Sequence, residues 1–514
     1  MRTTYPLRPL ADRGDYGRAC MRVLFVSSEC YPLVKTGGLA DVVGALPPAL
    51  RGLGVEAHVL LPAYPGVLAQ LDVQLAIARW PELFGGPATL VTGVAPTGAR
   101  VFALVAPHLY DREGGGPYAG PDGRDWPDNH LRFGALGRAA ADIALDRVQW
   151  LYPDAAFRPD VVHLHDWQAA LTAAYLHYDP RPGAPASLLT IHNLAFQGQF
   201  PLSTARLLGL PSEAERLDGL EFYGSISFLK AAVTWCDHIS TVSPTYAAEI
   251  VTAEHGMGFD GLLRSRAGSL TGIVNGIDDA LWNPGTDAAL VPPFAHYSSR
   301  TLDAKAANRR ALQAEFGLEQ RDNAPLFCVI SRLTFQKGID VLVEAMPALA
   351  ARGAQFAVLG AGDRELEDAV RRAAESLPGS VSAVIGYDET LSHRMQAGSD
   401  AIVVPSRFEP CGLTQLYGLR YGTLPVVSRV GGLADTVIDA NPAALTARVA
   451  TGFQFHPVDA ESLSHALGRA CDLFADRAAW RMVQQRAMAS DVGWSTAAAQ
   501  YRDLYERIVR SRSQ

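Results

Sequence analysis

The segment Glu409-Pro410-Cys411-Gly412-Leu413-Thr414 is the most informative stretch of the chain. It follows a predicted strand, Ala401–Val404, and opens a predicted helix that runs to about Tyr421. The amides of Gly412, Leu413 and Thr414 are then unpaired donors of a helical first turn, suited to phosphate oxygens. Glu409, just before them, can accept hydrogen bonds from sugar hydroxyls. Cys411 beside a helix N-terminus admits some thiolate character, although a small packing residue lining the site is the commoner role of such a cysteine. A second loop, Ser331-Arg332-Leu333-Thr334-Phe335-Gln336-Lys337-Gly338, carries two cations. The fork of Arg332 and the compact charge of Lys337 suit a diphosphate leaving group, with solvated surface charge as the alternative. Gly360-Ala361-Gly362-Asp363 ends a further strand and leaves room for a nucleotide.

Three more clusters lie in the first half. Lys35-Thr36-Gly37-Gly38 separates the first predicted strand from a helix that carries Asp41 in its first turn. Such a loop brings backbone N–H groups and one cation near a phosphate, or is merely a tight turn. It is not the G-x-G-x-x-G of a nicotinamide or flavin site. His163-Leu164-His165-Asp166-Trp167 closes another strand. The two histidines share a strand face, yet nothing nearby completes a zinc ligand set, so no metal is expected and Asp166 is read as facing a cleft. His192-Asn193 ends a third strand, where His192 is either a structural histidine or a contact to a sugar hydroxyl or to a developing cation.

Positioning these residues requires strands that end side by side. Met21–Ser27, Val55–Leu61, Pro159–His165, Leu188–His192 and His238–Val242 are short β-rich apolar runs bounded by turn residues. A second series comprises Leu326–Ser331, Gln355–Leu359, Val381–Ile385, Ala401–Val404 and Leu424–Val427. Continuous apolar strands alternating with helices imply parallel sheets covered on both faces. Ligands of such sheets sit beyond the carboxyl ends of the strands, where every cluster above falls. The expected fold class is α/β, with two doubly wound domains and a cleft between them. Residues 1–20 are expected as a mobile extension, 21–280 as the first domain and 281–300, rich in proline, as a connector. Residues 301–490 form the second domain, and 491–514 a terminal helix that packs back across the domains. The stretch from about Trp80 to Asp128 suits loops or an irregular hairpin.

Composition narrows the function. The 514 residues are 48% hydrophobic and only 19% charged, enough apolar material for two or three cores and too little charge for disorder. A net charge of −8 argues against nucleic acid or anionic membrane as a partner. No apolar run approaches the roughly 20 residues of a membrane span. Six scattered cysteines without a Cys-x-x-Cys pair fit reduced thiols of a cytoplasmic enzyme.

Taken together, the segments resemble the bacterial glycogen synthase and plant starch synthase family. The matching text includes SSECYPLVKTGGLADVVGALP at 27–47, PDVVHLHDWQAAL at 159–171, TIHNLAFQG at 190–198, SRLTFQKG at 331–338 and PSRFEPCGLTQLYGLRYGTLP at 405–425. The resemblance runs from Met21 to about Tyr505. It implies two Rossmann-like domains of the GT-B type and a retaining transfer of glucose from ADP-glucose to the non-reducing-end 4-hydroxyl of glycogen or another α-1,4-glucan, without a cofactor. It further implies roles for single residues. Lys35 and Gly38 match substrate and phosphate contacts, while Asp41, Tyr110 and Asp166 match cleft residues. His192, with Asn193 beside it, and Asn275 lie near the transferred glucose. Arg332 and Lys337 match the diphosphate pair, Glu409 the sugar-binding carboxylate, Gly412 to Thr414 the phosphate cradle, and Tyr387 a residue stacking on adenine. One departure concerns the wider superfamily, whose retaining members often carry a second glutamate eight positions on. Tyr417 stands there instead. Alternatives are a sugar-nucleotide transferase with a small acceptor and a non-catalytic glucan-binding protein.

Overall fold

Short apolar runs between turn residues become strands because burial on both faces stabilises each Val, Leu or Phe by about 1.5–3 kcal/mol. The computed structural model describes residues 20–512. The expected extension at 1–20 therefore lies outside the described residues, apart from Cys20. In the first lobe the strands are β1 (Met21–Val26), β2 (Val55–Pro62), β3 (Asp72–Trp80), β4 (Ala88–Val94), β5 (Arg100–Val105), β6 (Gln149–Trp150), β7 (Val161–His165), β8 (Ala186–Ile191), β9 (Gln199–Pro201), β10 (Glu221–Phe222), β11 (Ser225–Ser227), β12 (His238–Thr241) and β13 (Leu270–Gly272). In the second they are β14 (Leu326–Ile330), β15 (Gln355–Gly360), β16 (Val381–Ile385), β17 (Ala401–Val404), β18 (Leu424–Ser428) and β19 (Phe453–Phe455).

The first sheet runs β13-β12-β8-β7-β1-β2-β5-β4-β3-β6. It is parallel from β13 to β5, and the antiparallel pairs β5–β4, β4–β3 and β3–β6 form its far edge. The stretch read as loops or a hairpin thus supplies the β4–β5 hairpin before opening into a glycine-rich loop. The second sheet, β16-β15-β14-β17-β18-β19, is parallel throughout. Strand order reverses between β14 and β17, and between β1 and β7 in the first sheet. A crevice opens at such reversals, so the loops after these four strands face a common space.

Each lobe has its own core. One cluster spans Val23 to Ile273, resumes from Trp494 to Ile508 and takes in Cys411 from the facing lobe, while the other spans Ile277 to Val492. Among the described residues the chain crosses between lobes at 273–277 and at 492–494, where Ile277 and Gly493 form a parallel bridge. The segment 281–300, expected as a connector, instead anchors Trp282, Leu290, Phe294 and Tyr297 in the second core. Its prolines break periodicity, but its large apolar residues still bury. The helix Trp494–Arg512 lies on the first lobe, with Tyr501, Leu504 and Tyr505 fully buried there.

Polar contacts hold the lobes face to face. Thr245 donates to both oxygens of Asp435, from N at 2.8 Å and from Oγ1 at 2.7 Å. Ser243 Oγ donates to the Pro410 carbonyl at 2.7 Å, and the Gly431 amide donates to Glu249 at 2.9 Å.

Candidate active site

Between the lobes lies a cavity of about 770 Å³ lined by the loops after β1, β7, β8, β14 and β17. On the second lobe, Arg332 is exposed and its guanidinium has no protein partner among the described residues. Lys337 differs: its Nζ sits 2.5 Å from Glu409 Oε2, which also accepts from Ser406 Oγ at 3.0 Å. Gly338 makes this loop possible. Its φ is +66°, and a Cβ there would stand 2.0 Å from the Pro405 carbonyl oxygen. Arg332, Lys337 and Glu409 together carry one net positive charge, a modest field that a diphosphate must share with backbone donors.

Those donors come from the loop after β17. Gly412 adopts φ +73°, a conformation that suits glycine, and the helix begins at Thr414 and ends at Tyr421. Cys411, Gly412, Leu413 and Thr414 all line the cavity, and the amides of the helix's first turn have no intrahelical acceptor. The Cys411 thiol is buried and pushed up to about 12, so it is a packing residue without thiolate character. Tyr387 turns its ring outward at the cavity wall, 75% exposed, with its hydroxyl donated to Glu389 at 2.9 Å. Gly360 and Ala361 also touch the cavity, but the glycines of this strip serve close packing: a Cβ on Gly362 would stand 2.3 Å from the Leu333 carbonyl oxygen.

The first lobe contributes the loop after β1, and here a residue not anticipated from the sequence governs the geometry. Glu29 is buried, and its Oε2 accepts from the amides of Thr36 and, at 3.1 Å, Gly37, while Oε1 accepts from the Tyr118 hydroxyl. Burial holds this carboxyl above its ordinary range. Two loop amides are therefore taken by an internal carboxylate rather than turned to a phosphate. Gly38, the first residue of the helix Gly38–Arg51, still lines the cavity, with Leu413 of the other lobe 3.4 Å from where its Cβ would be. Lys35 Nζ pairs with Asp41 at 2.9 Å, and burial raises the Asp41 carboxyl despite that partner.

At the ends of β7 and β8, Asp166 takes a left-handed backbone with φ +55°. Its Oδ1 accepts from the amide of His192 at 2.7 Å and, more weakly, of Asn193 at 3.4 Å, so it fixes the loop after β8. Burial pushes its carboxyl up to about 7. His192 lines the cavity, is pushed down to about 3 by burial, and shares a hydrogen bond of 2.9 Å between its Nε2 and His165 Nδ1. His163 is committed to Tyr505 and Thr190, so the histidine pair once considered for zinc is used internally. Asn193 lines the cavity beside His192. Asn275 lines it too, and its buried Oδ1 has no partner among the described residues, an unused acceptor at the cavity wall.

Tyr110 is not brought to the site. It is 1% exposed and donates its hydroxyl to the Arg132 carbonyl at 2.7 Å, because the short helix Pro107–Tyr110 turns the ring into the first core. Cys411 and every other residue to which the resemblance assigned a role line the cavity, together with Glu29, Tyr118, Gln168, Trp282, Glu389 and Tyr417, whereas His163 and His165 do not. Glu29 and Gln168 follow strands and were findable by position; Tyr118 sits in an aperiodic loop with no such signal. Trp282 stacks between Tyr417 and His393, each 3.7 Å from its ring centre, so the place of a second glutamate is filled by an aromatic wall.

Comparison with known proteins agrees with this geometry. Residues 22–265 match the starch synthase catalytic domain and residues 313–481 match glycosyl transferases group 1. A glycogen synthase of Roseobacter denitrificans is 55% identical over 489 residues, covering 95% of this chain and 100% of the relative. One from Rhodopseudomonas palustris is 53% identical, covering 96% and 98%. The solved catalytic domain of starch synthase IV from Arabidopsis thaliana, bound to ADP and acarbose, superposes with a TM-score of 0.85 at 30% identity, covering 96% of this chain and 100% of that one. The chain belongs to the glycogen and starch synthase family of GT-B glycosyltransferases.

Proposed function

We propose that the enzyme transfers glucose from ADP-glucose to the 4-hydroxyl at the non-reducing end of an α-1,4-glucan, with retention of the α configuration and without a metal or cofactor. The observation that carries this reading is the unpartnered guanidinium of Arg332. It faces a cavity between lobes, beside the Lys337–Glu409 pair and the helix that begins at Thr414. A departing β-phosphate gains charge as its bond to glucose breaks, and donors already fixed around it favour that state over the ground state. The exposed ring of Tyr387 offers the base a face. ADP in the Arabidopsis relative supports adenine as that base.

The sugar end favours front-face transfer. His192 is neutral, and Asp166 is raised to about 7 with one oxygen already occupied by backbone amides, so neither is a strong nucleophile. The leaving phosphate oxygen then takes the proton of the attacking 4-hydroxyl, as the new C1–O bond forms on the face that the phosphate vacates. Asn275 Oδ1 and Glu409 accept from glucose hydroxyls.

Incubation with ADP-[14C]glucose or UDP-[14C]glucose, each with glycogen or with fructose 6-phosphate, tests the reading. Label is expected in precipitable glucan from the ADP donor. Label carried mainly by the small sugar phosphate, or a clear preference for the UDP donor, would overturn it.

A further inference from the structure

His165 has no part in the reaction just described, yet it is buried against the one histidine that lines the sugar end. Its ring stacks on Phe25, with centroids 5.2 Å apart, and lies 4.1 Å from the ring of His163. Its Nδ1 is 2.9 Å from His192 Nε2, and its own Nε2 is buried with no hydrogen-bond partner among the described residues. Burial lowers both rings far below the ordinary histidine range, so each carries a single proton.

Only two proton arrangements fit one hydrogen bond between two neutral imidazoles. In the first, His165 carries its proton on Nδ1 and donates to His192 Nε2, leaving His165 Nε2 as a bare lone pair. In the second, His192 donates from Nε2, and the proton of His165 must sit on Nε2, where no acceptor stands. A buried N–H without a partner is rarer and costlier than an unfilled acceptor, which selects the first arrangement.

We propose that His165 is a positioning residue that fixes the tautomer of His192, placing the proton of His192 on Nδ1, so that this ring meets the sugar as a neutral hydrogen-bond donor. The consequence deepens the proposed function and rests on it for the identity of the sugar. An N–H donor binds a hydroxyl oxygen; it neither removes a proton nor steadies a developing cation. Of the two roles considered for His192 from sequence, the contact to a sugar hydroxyl is therefore the one the geometry supports. His163, tied at both nitrogens to Tyr505 and Thr190, holds the His165 ring in place by packing, and Phe25 packs against both histidine rings.

The test is a ring 15N–1H correlation spectrum of the full-length enzyme labelled with 15N-histidine, with the His192 signals identified by their loss in His192→Asn. The expected spectrum has His192 protonated at Nδ1 and bare at Nε2. A His192 protonated at Nε2 in the wild type overturns the proposal outright, whatever the enzyme transfers. For activity, His165→Leu is expected to lower kcat/KM on the order of 10–100-fold. His165→Asn, whose side-chain amide can donate from nearly the same place, is expected to restore most of it. Equal loss in both variants, each folded by its melting curve, would show packing alone and count against the tautomer role. If His165→Leu does not fold, the wild-type spectrum and the Asn variant still decide. Because the spectrum is read without substrate, its failure and a failure of the donor assignment are separate results.

Discussion

Arg332 and Lys337 are adjacent in function but not in state, and their variants should fail differently. The Arg332 guanidinium has no partner among the described residues, so Arg332→Ala removes only what it offers the leaving phosphate, ~2–4 kcal/mol of transition-state stabilisation, and leaves the melting temperature near that of the wild type. Lys337 is 17% exposed and its partner Glu409 only 9%, so Lys337→Ala strands a carboxylate and loses stability too, on the order of 3 kcal/mol. Steady-state kinetics set beside melting curves separate the two; a destabilised Arg332→Ala would contradict its freedom in the cleft. Asp166 makes a prediction of opposite kind. Its folded carboxyl at about 7 exceeds its unfolded value of 3.8, so the folded state holds the proton longer and stability from this group falls as pH rises between those values. Asp166→Asn, which still accepts from the His192 amide, should gain on the wild type by at most ~1.4 kcal/mol per pH unit across that window. Melting curves at pH 5 and pH 8 check it, and a gap that does not widen with pH would disprove it.

At the scale of elements, the loop after β14 depends on one backbone conformation. Gly338→Ala forces a side chain into φ +66° and against the Pro405 carbonyl, displacing Lys337 from Glu409. A cost of about 1–3 kcal/mol in stability is expected together with a rise in KM for the donor; normal kinetics would mean the loop tolerates a shift that its packing here forbids. The same element shows why much of the site was legible beforehand. Parallel strands buried on both faces announce themselves as apolar runs, and their carboxyl ends point to one crevice, so Arg332, Glu409, Asp166 and His192 could be placed from sequence position. What position does not give is the partner of each group. The amides of Thr36 and Gly37 looked open to phosphate, but Glu29 and Tyr118, 89 residues apart, had already claimed that corner. Tyr110 failed for a related reason: a helix of four residues decides which way it points, and no periodicity announces so short an element. The segment 281–300 lacked a repeating pattern, yet four of its large side chains found the second core.

For the molecule as a whole, the two cores are separate while the reaction needs them together. The lobes meet through Thr245–Asp435, Glu249–Gly431 and Ser243–Pro410, a largely polar set of the kind that permits relative motion, with Cys411 packed against the first core, and among the described residues the chain passes between them at 273–277 and 492–494. Leu413 of one lobe approaches Gly38 of the other, and further closure of the cleft on a bound sugar nucleotide would exclude water from it. Closure without ligand then depends on few bonds, and ADP, touching both lobes, should add to them. Asp435→Ala removes two of these bonds at once and lies outside the cavity lining. It should enlarge the ligand-free enzyme in small-angle scattering and raise KM for the donor, because part of the binding energy must now close the cleft. Turnover at saturating donor should change much less, since the closed state, once formed, has the same groups around the phosphate. Scattering curves of the wild type and Asp435→Ala that coincide with and without ADP would mean the lobes do not move, and the exclusion of water would have to be built into a rigid cleft.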